Sequence, residues 1–533
     1  MMTAKSPAQV FAAELLVNLA AATGARHIFL SPGSRSQALA VAAEQLASAG
    51  QMRLHVRLDE RSSGFGALGT ALASQSPAIV ITTSGTAVAN LHPAVLEAHH
   101  SGVPLILLTA DRPSELRGVG ANQTTDQPGI FGSAVPTVFD IEAPELDDDH
   151  RTRAVTIAEA TGQALLATPG PIQLNLAFRE PLSSSEPNAT TIQPTIGLIE
   201  AEQTEVEWAI LEAKVPTVVI AGAGATDDAI ELAESFGWPV FAEPSSGARF
   251  GANAIIGYRR LLEHGHPLVN QIGRVVVFGK PTLSRKVNAL FFNEAIEMIV
   301  VESKTHGRFD PAHRVAKIVN EISVDDEVDF GWLSAWREAD VSTPFVFSDK
   351  LDRANLIRLT YQASETSDSI VFGASRLIRD ADLVAPAKPI LIFANRGLAG
   401  IDGTIATATG VALANSEYAQ LHHETQGYTR AVMGDLTALH DISSLAIDRN
   451  DDDINLQVIV GNDNGGTIFT QLEVASQVDD QTLARVFTTP QQVDFWHVAQ
   501  AYGWQYERVS TLDELQRALE LSGRVLIEVL LVD

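Results

Sequence analysis

Between Arg26 and Asp111 the chain alternates short apolar runs with helix-patterned segments, and this alternation confines it to a layered α/β architecture. His27 to Ser31 precedes a helical pattern over Gln37 to Ser48; Leu54 to Leu58 and Ala78 to Thr82 each precede another, and Leu105 to Thr109 closes the series. Strands separated by helices pair in parallel. In such sheets the loops that handle ligands lie beyond the carboxyl ends of the strands. Ser31-Pro32-Gly33-Ser34-Arg35, Asp59-Glu60-Arg61, Thr83-Ser84-Gly85-Thr86 and Ala110-Asp111-Arg112-Pro113 each follow such a run. Four successive polar turns at one sheet edge point to a site.

The same rhythm returns near the end, with strands expected at Ile370 to Phe372, Ile390 to Phe393, Leu456 to Val460 and Val525 to Val532. Between the two α/β regions, Thr217 to Ile220 leads into Gly222-Ala223-Gly224, an opening of Rossmann type that lacks its third glycine. Two glycines favour a structural turn over a working dinucleotide site. A polar stretch with three prolines and no aromatics, Pro181 to Pro194, reads as a linker, and a second boundary falls near Val341 to Asp349. The expected domains are therefore 1–182, 195–342 and 348–533.

Composition limits the partners. Hydrophobic residues are 45% and charged residues 19% of 533, as in large folded domains. A formal net charge of −28 opposes nucleic acid or an anionic membrane as partner. There is no cysteine, which excludes disulfides and thiolate-held metals and leaves the cytoplasm as the expected location. The apolar run Val10 to Ala22 is interrupted by Glu14 and leads into a strand, unlike a cleaved signal, and no run reaches membrane-spanning length. No His-x-x-x-His pair with an acid suggests zinc. The acidic runs Asp147-Asp148-Asp149 and Asp451-Asp452-Asp453 read as solvated loops.

Gly434-Asp435 closes a strand-like run, and Asp463 answers it 28 positions later inside Asn462-Asp463-Asn464-Gly465-Gly466. A carboxylate at one strand end, a second oxygen donor from the next and a glycine turn with exposed carbonyls make a small oxygen cage of the kind Mg²⁺ or Mn²⁺ occupies when it holds a diphosphate. Either half alone is an ordinary turn.

The pair at this spacing resembles the diphosphate-binding motif of thiamine-diphosphate enzymes. Taken with the turns after the first four strands, Gly120-Ala121-Asn122-Gln123, Gly279-Lys280-Pro281-Thr282-Leu283-Ser284-Arg285, Phe372 to Asp380, Ala394-Asn395-Arg396-Gly397 and Gly400-Ile401-Asp402-Gly403-Thr404, the chain resembles the menaquinone-pathway synthases of that family. The resemblance implies three domains, each a mainly parallel sheet flanked by helices. It implies thiamine diphosphate and Mg²⁺ or Mn²⁺ as cofactors, and a homodimer or homotetramer with each site between the first domain of one subunit and the third of another.

The roles it implies fall on named residues. Glu60 meets the aminopyrimidine ring of the cofactor and activates it; Thr86, Ile401, Gly403, Gly434, Asp435, Leu436 and Asn462 contact the cofactor. Asp435, Asp463 and the Gly465 carbonyl hold the metal, with Asn462 as the alternative if the register slips by one. Ser34, Arg35, Arg112, Asn122, Gln123, Arg285, Ser375, Arg379 and Arg396 bind substrates, which the resemblance gives as 2-oxoglutarate and isochorismate. Arginines suit multiply charged carboxylates that must be held away from water. Glu60 could equally serve as an acidic helix start, and each arginine could equally tether a loop. Two other readings stay open: a decarboxylase or acetolactate-type synthase acting on another 2-oxo acid, and a catalytically silent nucleotide- or partner-binding protein.

Overall fold

The computed structural model describes residues 6–184, 193–200, 207–302, 309–327 and 329–532. Residues 185–192 of the expected linker lie outside this set. The chain divides into two compact units, one comprising 1–203, 405–424 and 441–453, the other 204–404, 425–440 and 454–533.

The first unit is built on strands β1 (His27–Leu30), β2 (Arg53–Val56), β3 (Ala78–Thr82), β4 (Leu105–Asp111), β5 (Val138–Ile141) and β6 (Pro171–Ala177). They form one parallel sheet in the order β2-β1-β3-β4-β6-β5. Every residue of β1, β3, β4 and β6 is buried, which is why these strands read as continuous apolar runs rather than as alternating ones. The helix Pro7–Thr23 shows how local signals set an element. Ser6 caps it by accepting the Gln9 N–H, proline occupies the first turn, and Gly24 ends it at φ 74°. Its Leu15, Leu16 and Leu19 have no solvent exposure, so the apolar start of the chain is core.

The second unit adds β7 (Trp208–Leu211), β8 (Thr217–Ala221), β9 (Val240–Ala242), β10 (Arg274–Phe278), β11 (Glu297–Val301), β12 (Lys317–Val319) and β13 (Glu321–Val324). Five of them form a parallel sheet in the order β12-β11-β10-β8-β9, and β13 pairs with β7. The glycines after β8 serve the chain's own packing. A Cβ at Gly222 would lie 2.0 Å from Pro281 N, and one at Gly279 would lie 2.4 Å from the Ala223 carbonyl. The two turns can touch only because neither glycine carries a side chain.

The unit's other sheet comprises β14 (Ser369–Phe372), β15 (Leu391–Ala394), β16 (Thr429–Gly434), β17 (Leu456–Asn462), β18 (Gln505–Val509) and β19 (Arg524–Leu530), in the parallel order β15-β14-β16-β17-β19-β18. In this register Gly434 stands beside Gly461, so the two halves of the Gly-Asp and Asn-rich motif leave neighbouring strands at the same level. No helix among the described residues is long and apolar enough to cross a membrane.

One expectation is overturned. Asp451 is not part of a solvated loop: its side chain is 2% exposed, its Oδ1 lies 2.9 Å from His55 Nδ1, and its Oδ2 lies 2.6 Å from Arg57 Nη1. Two cationic or polar partners on β2 and just beyond it draw the carboxylate into the core, where it would otherwise be costly.

Candidate active site

In the first unit, the predicted residues occupy the carboxyl edge of the sheet. Ser34 and Arg35 follow β1; Arg35 Nη1 donates to the Phe178 carbonyl at 2.9 Å. Gly33 lets this turn lie against β3, since a Cβ there would come within 2.2 Å of Thr83. Glu60 opens the helix Glu60–Ser74, behind the capping carboxylate of Asp59. Asn90 Nδ2 donates to Glu60 Oε2 at 3.2 Å, and both line an open cleft of about 520 Å³ with Asp59, Arg61, Ala89 and Pro93.

The turn after β3 and the segment around Gln123 are tied together. Ser84 Oγ donates to the Gln123 carbonyl at 2.9 Å, and Gln123 Nε2 donates to the Ser84 carbonyl at 3.0 Å. Gly85, at φ 78°, gives its N–H to Gln127 Oε1 at 3.1 Å, just ahead of Thr86. The buried Arg112 donates to Ser84 Oγ. Burial weakens its hold on its proton, and the nearby Arg35 adds to this, so two like charges face one region. Asn122 and Gln123 are exposed. Thus Arg35, Ser84, Arg112 and Gln123 are brought together, while Glu60 keeps company with Asn90, a residue without a sequence signal because it merely ends a four-residue helix.

In the second unit the motif residues meet at the ends of β14 to β17. Asp435, 5% exposed, receives the N–H of Leu436 on Oδ1 at 2.8 Å and that of Gly465 on Oδ2 at 2.7 Å. Gly465 has φ 120°, and a Cβ on it would come within 2.3 Å of the Thr488 carbonyl, so only glycine fits. Asp463 Oδ2 accepts from Thr467 Oγ1 at 2.6 Å and pairs with Arg353 at 3.0 Å. Burial pushes the Asp435 carboxyl up, and Asp463 pushes it further; burial also raises Asp463, against Thr467 and Arg353.

Asn462 is engaged elsewhere: Nδ2 donates to Glu528 Oε1 at 2.7 Å and Oδ1 accepts the Asn464 N–H at 3.1 Å. Among the described residues no three His, Cys, Asp or Glu cluster as a metal site. The fit is instead to a hard divalent cation, since a buried and a half-buried carboxylate at adjacent strand ends, the buried one met only by backbone N–H groups, are the donors such an ion seeks.

Around this motif lie the remaining predicted residues. Ser375 caps the helix Arg376–Val384, and its Cβ is 3.5 Å from where a Cβ of Gly434 would stand. Arg379 Nη1 donates to the Ser375 carbonyl at 3.3 Å. Burial lowers the proton affinity of Arg379, and Arg259 and then Arg285 lower it further, with Asp380 working against them. Arg396, 6% exposed, donates to Thr282 Oγ1 at 2.5 Å. Gly403, at φ 61°, stands at the start of the helix Thr404–His422, with Ile401 two residues before it and half-buried.

Two sheet edges, one with an acid in an open cleft and one with a cation-seeking carboxylate pair beside arginines, are the parts of an enzyme that binds a phosphorylated cofactor. Residues 11–130 match the family model for the thiamine pyrophosphate enzyme N-terminal TPP binding domain, and residues 381–529 match that for the C-terminal TPP binding domain. The chain is thus built as a thiamine-diphosphate-dependent enzyme.

Its similarity to particular relatives runs nearly end to end. The 2-succinyl-5-enolpyruvyl-6-hydroxy-3-cyclohexene-1-carboxylate synthase of Leifsonia xyli subsp. xyli is 43% identical, covering 98% of this chain and 96% of its own. The synthase of that name from Clavibacter michiganensis subsp. michiganensis is 43% identical over 96% of this chain and 94% of its own, and that of Renibacterium salmoninarum is 41% identical over 95% and 91%. The chain belongs to the 2-succinyl-5-enolpyruvyl-6-hydroxy-3-cyclohexene-1-carboxylate synthase family.

Proposed function

We propose that the protein decarboxylates 2-oxoglutarate and adds the resulting succinyl unit to isochorismate, forming the product for which its relatives are named, in menaquinone biosynthesis. The observation that supports an anionic substrate most strongly is the gathering of arginines at one turn: Arg396 bonds Thr282, three residues before Arg285, and Arg285 in turn acts on Arg379. The alternatives, a different 2-oxo acid decarboxylase and a silent binding protein, draw no support from the three relatives described above, which share one name.

Thiamine diphosphate, when bound, supplies the electron sink that lets a 2-oxo acid lose carbon dioxide. Asp435, Asp463 and the Gly465 carbonyl would hold Mg²⁺ or Mn²⁺ with the diphosphate; Gly434, Leu436, Gly403, Ile401, Thr86 and Asn462 would line the cofactor's path. Glu60 would hold and pass the proton that activates it, kept in place by Asn90. Arg285, Arg379, Arg396 and Ser375 on one edge, and Ser34, Arg35, Arg112, Asn122 and Gln123 on the other, would fix the substrates' carboxylates and hydroxyls.

The domains 1–182, 195–342 and 348–533 accord with this reading, the matched segments falling inside the first and third. A cytoplasmic homodimer or homotetramer, with each site completed by a second subunit, goes with it. Glu60→Gln tests the mechanism: we expect turnover to fall by about 10² to 10⁴ with little change in melting temperature. Unchanged turnover would remove Glu60 from the reaction.

A further inference from the structure

Glu243 leaves the carboxyl end of β9 and is 1% exposed, although no sequence motif marks it. Its Oε1 accepts the N–H of Leu283 at 2.7 Å, while its Oε2 is buried without a hydrogen-bond partner. A carboxyl so placed costs free energy that an apolar side chain of similar size would not. What it holds is a short turn with arginines on both sides. Ser284 caps the helix Arg285–Phe291 by accepting the Val287 N–H at 3.3 Å, so the turn delivers Arg285 directly. From the other side, Arg396 Nη2 donates to Thr282 Oγ1 at 2.5 Å.

A second buried acid stands behind the first. Asp382, fully buried, accepts from the Tyr258 hydroxyl and lies 3.5 Å from Arg259 Nη1, and that same nitrogen donates to the Arg379 carbonyl at 2.7 Å. Burial first, and then Asp382, push the Glu243 carboxyl up, with the Leu283 N–H and Arg396 opposing. Two buried carboxyls thus hold the segments that carry these arginines, Glu243 through the Leu283 N–H and Asp382 through Arg259.

We propose that Glu243 is a positioning residue: by holding the Thr282–Ser284 turn it sets where Arg285 and Arg396 stand to receive a substrate carboxylate. This rests on the reading that those arginines meet substrate. Arg285 is carried on the turn and Arg396 is bonded to it, so releasing the Leu283 N–H moves both at once. A shift of about an ångström in such groups is enough to weaken a bidentate carboxylate contact.

The test uses the full chain loaded with thiamine diphosphate and Mg²⁺, with KM for each substrate, kcat and melting temperature measured in four variants. Glu243→Leu removes the acceptor while filling its space, and should raise KM for 2-oxoglutarate or isochorismate by about tenfold with kcat changed less than about threefold. Glu243→Gln keeps an oxygen for the Leu283 N–H and should restore KM to within about threefold of wild type. Glu243→Asp draws the acceptor back by one methylene without changing its chemistry, and stands in if the leucine variant does not fold. It should raise KM in the same direction. Arg396→Ala should raise KM too. An unchanged KM in Arg396→Ala would sink the substrate reading; a raised KM there beside an unchanged KM in Glu243→Leu or Glu243→Asp would sink the positioning role alone.

Discussion

Gly465 concentrates the chemistry of the motif in one residue. Its φ of 120° is open to glycine alone, its N–H reaches Asp435, and its missing Cβ leaves room for the Thr488 carbonyl. Gly465→Ala is expected to abolish the thermal stabilisation that Mg²⁺ and thiamine diphosphate together confer, read as a shift in melting temperature with and without the pair. Retained stabilisation would take the turn out of the cofactor site. Asp435 and Gly465 were visible in the sequence because the spacing of a Gly-Asp pair and an Asn-Gly turn is a local pattern. Glu243 was not visible, because what defines it is an N–H in another turn and a carboxyl on another strand's helix.

At the scale of elements, the helices Glu60–Ser74 and Thr404–His422 approach so closely that backbone meets backbone. A Cβ at Gly69 would lie 2.0 Å from the Thr407 carbonyl, and one at Gly410 would lie 2.0 Å from the Gly66 carbonyl. Gly69→Ala is therefore expected to lower stability by about 1–3 kcal/mol or more through forced separation, measurable as a drop in melting temperature. Because Glu60 heads one of these helices, its turnover should fall in the same variant.

At the opposite edge of the sheet, Glu417 binds His27 Nε2 at 2.8 Å and Arg26 at 2.7 Å, joining the helix Thr404–His422 to the start of β1. Burial works to raise the Glu417 carboxyl, but His27 and Arg26 outweigh it and hold the group at about 2. A depressed carboxylate stabilises the fold fully above its unfolded value of about 4.5 and loses that contribution as the pH falls toward 2. The melting temperature of Glu417→Gln should lie below that of wild type at pH 7, and the gap should close as the pH falls through this window.

The α/β rhythm of both units was legible because strands buried on both faces are unbroken apolar runs. Asp451 misled for the opposite reason: three consecutive acids look solvated, and the partner that buries the first of them, His55, is 396 residues away.

At the scale of the whole molecule, a net charge of −28 means that anionic substrates must be drawn by local arginines against the general field. A site shared between subunits, as proposed, would add a requirement that one chain could not meet. If each site takes Glu60 from one subunit and Asp435 from another, coexpressing Glu60→Gln with Asp435→Asn should regain about a quarter of wild-type activity, since half of random dimers are mixed and each has one intact site. No recovery would place both residues of a site in one chain.

The central claim is tested most directly by following isochorismate consumption with thiamine diphosphate, Mg²⁺ and 2-oxoglutarate present, and then with each omitted in turn. The expected result is loss of isochorismate that requires all three and releases carbon dioxide in equal amount. Carbon dioxide release with isochorismate untouched would contradict the synthase reading in favour of a simple decarboxylase, and no reaction under any condition would contradict an enzymatic role.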